Sequence, residues 1–133
     1  MQNNTLGGKE KSFLWSYDGE RIVIRKKING VRKESEISYL NNELEKIMLY
    51  IKQGERISLA NNVAKLKNGT EKEGIGHYIY NYLERKIDKA QSASQLVAIM
   101  VKANVLGYNE AKKNMDFWIN DMNWRERMLN YVK

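Results

Sequence analysis

Six of the thirteen residues between Arg21 and Lys33 are lysine or arginine, and none is acidic. Cations at this density bind anions, and guanidinium groups add a planar fork that matches phosphate. Whether they act together depends on where the chain points them. Asp18-Gly19 precedes the segment and Asn29-Gly30 lies within it, and both dipeptides favour two-residue hairpin turns. With Asn29-Gly30 as the loop, Ile28 pairs with Val31, Ile24 with Ser35 and Ile22 with Ile37. With Asp18-Gly19 as the loop, Tyr17 pairs with Glu20, Trp15 with Ile22 and Phe13 with Ile24. Both registers put Phe13, Trp15, Ile22, Ile24, Ile28, Val31 and Ile37 on one face, and a one-residue slip would scatter them. Arg21, Arg25, Lys27 and Arg32 therefore share the opposite face, with Arg25 across from Glu34 as a favourable cross-strand pair.

The pattern predicts a three-stranded antiparallel meander over residues 13–37 with a basic outer face, a candidate nucleic-acid interface. A two-stranded ribbon fits the major groove, and guanidinium groups on a curved sheet grip phosphates. In architecture it resembles strand-strand-strand-helix modules among DNA binders, including the arm-binding domains of integrases. The competing reading is a solvated face whose charge prevents edge aggregation.

A second basic candidate is Lys112 with Lys113. Gly107 is expected to end one helix, and Asn109 to cap another carrying Ala111, Met115, Trp118, Ile119 and Met122 inward. Such a pair can be a helix-turn-helix, but Lys113 falls where that motif buries an aliphatic side chain. An ordinary αα-hairpin is the preferred reading.

Aromatic side chains form a third group. Tyr78 and Tyr82 fall on one helical face, and with Trp124 and Tyr131 they are candidate anchors of a protein interface. Trp124 is expected on a short terminal helix, where its burial requires a partner. Gly74-Ile75-Gly76-His77 at a helix start could expose N–H groups to phosphate, but glycines there more often permit close packing.

Catalytic readings find little support. His77 is the only histidine and there is no cysteine, which removes multi-histidine metal sites, thiolate zinc sites and thiol nucleophiles. A binding protein is expected, not an enzyme, with no cofactor.

The remaining segments position these groups. Ser38 is a plausible cap for a helix with Leu40, Leu44, Ile47, Met48 and Ile51 inward, stopping near Gly54. Residues 55–69 fit strand or helix, with helix preferred and an end at Asn68-Gly69. A helix over 74–89 would bury Ile75, Ile79, Tyr82, Leu83 and Ile87. A nearly all-apolar helix over 92–106 should lie at the centre. Asn123 starts a short last helix with Met128, Leu129 and Val132. The fold class is thus α+β, a meander packed on four to five helices. Residues 1–11, polar and with Lys9 and Lys11 as possible further phosphate contacts, form a disordered tail before a single domain over 12–133.

The chain has 133 residues, 23 Lys+Arg against 16 Asp+Glu and a net charge of +7, which favours anionic partners. No apolar run reaches the ~18 residues that span a bilayer, so no membrane partner and a cytoplasmic location are expected. The composition resembles that of accessory proteins of phages or mobile elements in low-GC bacteria. Nucleic-acid binding to DNA or RNA is the leading expectation. The alternative is a protein- or small-molecule-binding factor, such as a phage inhibitor of a host defence protein, with a host protein or a second copy (a homodimer) as partner.

Overall fold

The computed structural model describes residues 1–7, 11–27, 34–84 and 86–133, and the side chains of all of these but Lys27 and Glu84. The fold is α+β. An antiparallel sheet of four strands in sequence order, β1 (Gln2–Asn4), β2 (Ser12–Tyr17), β3 (Arg21–Lys27) and β4 (Glu34–Leu40), opens the chain. Helix α1 (Asn41–Lys52) follows. A second sheet of three short strands, in the order β5 (Ile57–Ser58), β7 (Asp116–Ile119), β6 (Leu106–Tyr108), stands apart from the first. Between its strands run α2 (Val63–Asn68), α3 (Ile75–Tyr78), a π-helical segment (Ile79–Glu84), α4 (Ile87–Gln91) and α5 (Ala93–Lys102), and α6 (Trp124–Tyr131) comes last.

The expected meander is present with the expected faces. Phe13, Trp15, Ile22, Ile24 and Ile37 are buried, and Arg21, Arg25, Glu34 and Glu36 are exposed. Both registers are nevertheless two residues from the expected ones: Trp15 pairs with Ile24, Tyr17 with Ile22, Ile24 with Ile37 and Ile22 with Tyr39. The Asp18 carboxylate accepts the backbone N–H groups of Glu20 (2.8 Å) and Arg21 (3.0 Å), which centres the turn on Gly19-Glu20. These two bonds also hold the Asp18 carboxyl below its ordinary pKa. A slide of two keeps every side chain on its face. Tyr17 and Tyr39, on that same inner face, are buried too, and the shifted register sets Arg25 opposite Glu36 and not Glu34. The Asn29-Gly30 turn, with Ile28 and Val31, lies outside the described residues.

Four expectations fail. Residues 1–11 are not all tail, because β1 adds to the free edge of β2, pairing Asn3 with Phe13. Backbone hydrogen bonds drive this addition (Trp15 N–H to Met1 O, 2.8 Å), so it needs no apolar pattern. Ser38 remains in β4 and does not cap α1. Leu40 takes the cap position, exposed, and its N–H is received by the Glu43 carboxylate at 3.0 Å. Residues 55–69 divide into β5 and α2, the latter capped by Asn62 and closed by Gly69 at φ 77°. The helix expected over 74–89 changes to π geometry at Ile79 and breaks before α4, so Tyr82 turns to solvent instead of the core.

The fifth is the largest. Residues 106–119 are a β-hairpin, and neither an αα-hairpin nor a helix-turn-helix exists there. Gly107 does not stop a helix. It lies in β6 opposite Trp118, where a Cβ would come within 2.3 Å of the Trp118 indole nitrogen. Asn109 closes the hairpin loop, its side-chain oxygen accepting the Asp116 N–H at 3.2 Å.

Gly74 and Gly76 serve close packing. A Cβ on Gly76 would sit 2.6 Å from the Ala60 carbonyl oxygen and 2.8 Å from the Asn61 Cα, and its N–H already donates to Leu59 O at 2.8 Å. Backbone cannot yield as a flexible side chain does. Gly76→Ala should therefore destabilise the protein by about 1–3 kcal/mol, as overpacking does, read as a lower urea midpoint at unchanged m-value.

Candidate nucleic-acid interface

Among the described residues, the outward positions Ser16, Arg21, Arg25 and Glu36 of the first sheet are exposed. Arg21 and Arg25 stand there at positions dictated by the alternation of β3. Arg25 is engaged across the sheet by Glu36, Nε to Oε2 at 3.2 Å, with both side chains more than half exposed. Such a pair contributes under about 1 kcal/mol, so it holds Arg25 in place without locking it away from a phosphate. Arg32 and the Lys27 side chain lie outside the described residues, as does Lys9.

A cleft of about 1080 Å³ opens where this sheet meets the helices. Lys11, Arg25 and Lys26 line it, with Glu34 and Asp88 as its acidic groups and Asn61, Gln91, Ser94 and Gln95 as neutral hydrogen-bonding groups. Lys26 does not belong to the outward basic face, because the period of two places it on the inner side with Ile22 and Ile24. It is half-buried at the open end of the sheet. Burial, then the neighbouring Lys11 charge, lowers its pKa below the ordinary lysine value, and Asp88 only partly opposes them.

Lys112 and Lys113 occupy the exposed loop between β6 and β7. Although far along the chain, this loop reaches the rim of the same cleft. Gly7 and Met115 both line it, and a Cβ on Gly7 would lie 3.7 Å from the Lys112 carbonyl oxygen. Lys112 and Lys113 themselves are not among the residues that line it, whereas Lys11, Arg25 and Lys26 are.

The aromatic candidates separate. Trp124 is 2% exposed: its ring packs into the core and its N–H donates to Glu45 at 2.7 Å, so its burial needs no partner. Tyr131 is half-buried and stacks on Trp15, centroids 5.8 Å apart. Tyr78 lies between Tyr50 (4.5 Å) and Tyr82 (5.6 Å), and Tyr82 is 71% exposed. Burial, then the nearby Glu73 carboxylate, raises the pKa of Tyr50, so it stays a neutral phenol.

Among the described residues no cluster of histidine or acidic side chains could hold a metal ion, and no helix is long and apolar enough to cross a membrane. No family model, curated protein or solved structure matches this chain.

The cost of keeping Lys26 charged has a measurable sign. Its folded pKa lies below the unfolded one, so the unfolded chain binds more protons between the two values. The penalty is full below the folded pKa and fades as pH rises toward the unfolded value of about 10.4. Lys26→Met should raise the melting temperature at pH 7, and the gain over the wild type should shrink as both are scanned toward pH 10. A gain independent of pH would show that the charge is not its source.

Proposed function

We propose that this protein binds nucleic acid, with the phosphate backbone running over the arginine face of the first sheet into the cleft beside it. The observation that carries this reading is the convergence of Lys11, Arg25 and Lys26 on one cleft, next to a sheet face where Arg21 is exposed and uncovered. Lys26 in particular is held where its charge is disfavoured. A phosphate beside it supplies the counter-charge that burial and Lys11 deny it. The net charge of +7 favours encounter with an anionic polymer. Amide and hydroxyl groups of Asn61, Gln91, Ser94 and Gln95 offer donors and acceptors in the same cleft. A cytoplasmic accessory role in a phage or mobile element fits the size and composition, and no catalytic step is assigned.

The alternative, a protein- or small-molecule-binding factor, draws on Tyr82 as its exposed anchor, since Trp124 and Tyr131 pack within the chain.

The reading is tested by titrating labelled DNA and RNA oligonucleotides at several salt concentrations. Affinity should fall steeply with salt, because each phosphate that a cation neutralises releases counterions. Arg21→Ala combined with Arg25→Ala should weaken binding at unchanged melting temperature. For every phosphate no longer neutralised, the slope of log K against log salt should flatten by about 0.7–0.9. Absence of binding to both polymers at low salt defeats the proposal.

A further inference from the structure

We infer that the tyrosine ladder Tyr50–Tyr78–Tyr82 is a stacking platform that takes one unpaired nucleobase on the open face of Tyr82, making this a binder of single-stranded nucleic acid. The inference rests on the nucleic-acid reading above and narrows its substrate class.

Three phenol rings are laid in sequence. Tyr50 and Tyr78 are 4.5 Å apart at 21° between planes, and Tyr78 and Tyr82 are 5.6 Å apart at 28°. The inner two are half-buried, whereas Tyr82 is 71% exposed. The ladder is therefore anchored in α1 and α3 and unfinished at its outer end. A fourth ring placed there continues an offset stack already established.

Local geometry supports a binding role over a packing one. Tyr82 stands on the π-helical segment Ile79–Glu84, and π turns are rare and concentrate at functional sites. A ring already oriented by Tyr78 loses less freedom when a ligand stacks on it. The other exposed large apolar side chains, among them Leu14, Leu40, Leu49 and Leu129, sit on different elements.

The occupant follows from ring shape and charge together. The platform offers a π face, and every nucleobase has one, so stacking is tolerant of sequence. A base inside a duplex is already covered on both faces, which restricts the platform to unpaired bases. The chain carries +7, and the segment bearing Tyr82 leads directly into α4, whose Asp88 and Gln91 line the cation cleft. Only two residues of sequence separate that segment from α4.

The test uses the full chain and two fluorescein-labelled DNA probes, a thymidine homopolymer strand and a mixed-sequence duplex, read by anisotropy at low salt. Tyr82→Ala should weaken binding of the strand roughly 5- to 100-fold, the effect of removing one stack, while duplex binding and melting temperature stay as in the wild type. Tyr82→Phe keeps the ring and should bind the strand like the wild type. Wild-type affinity of Tyr82→Ala for the strand, or an equal loss on strand and duplex, overturns the inference and leaves the nucleic-acid reading standing. Failure of the wild type to bind any of these probes, or a uridine homopolymer strand read in the same way, removes both.

Discussion

A lysine and a glutamate buried together govern how the two halves of this chain fit. The Lys89 ammonium and the Glu43 carboxylate meet at 2.6 Å with almost no access to water. Taking both charges out of solvent costs several kcal/mol, which their attraction offsets only with good geometry and satisfied neighbours. Those neighbours are present. The second Glu43 oxygen receives the Leu40 N–H, and the Tyr39 hydroxyl joins both the Lys89 carbonyl and the Ser92 hydroxyl at 2.8 Å. The ammonium also lies 4.9 Å from the centre of the Tyr39 ring. This one knot ties β4 to α1, α4 and α5. Apolar packing is non-directional and tolerates sliding, whereas these bonds accept one arrangement.

The same knot positions the cleft. Asp88 precedes Lys89 and Gln91 lies two residues beyond it, so fixing the lysine inward fixes these two on the cleft wall. On the opposite wall, Lys26 is carried by a strand whose earlier inward positions, Ile22 and Ile24, are fully buried. Both walls therefore stand on rigid elements instead of mobile loops, and the unfavourable placement of the Lys26 charge can be sustained. A ligand-free protein tolerates that placement because the rest of the core holds β3 in register.

The legibility of the sequence follows a physical divide. Face assignment in the first sheet depends only on parity, so Arg21 and Arg25 fall outward even though both strand pairings sit two residues from their expected register. Parity also turns Lys26 inward, but the half-burial that perturbs its charge, like the opposing charge of Asp88 on α4, is set by the tertiary fold and leaves no trace in the local pattern. The 106–119 hairpin is illegible for a different reason. Met115, Trp118, Ile119 and Met122 repeat at helical spacing by coincidence, and the decisive contact, Gly107 beneath Trp118, joins residues on separate strands. Positive backbone angles at Glu110 and Asn114 complete that hairpin, and single residues announce them weakly. Trp124 looks unpartnered in the sequence because its acceptor, Glu45, lies 79 residues earlier.

That last separation bears on how the chain reaches its native state. The first sheet is built from neighbours in sequence and can pair early. Its core side cannot close until Trp124 has reached Glu45 and Tyr131 has reached Trp15. Contacts this distant carry a loop-closure cost before they return any stabilisation, and they place a protein among the slower single domains. In vectorial synthesis the residues of the first sheet emerge well before α6, whose Tyr131 closes over Trp15 on its inner face.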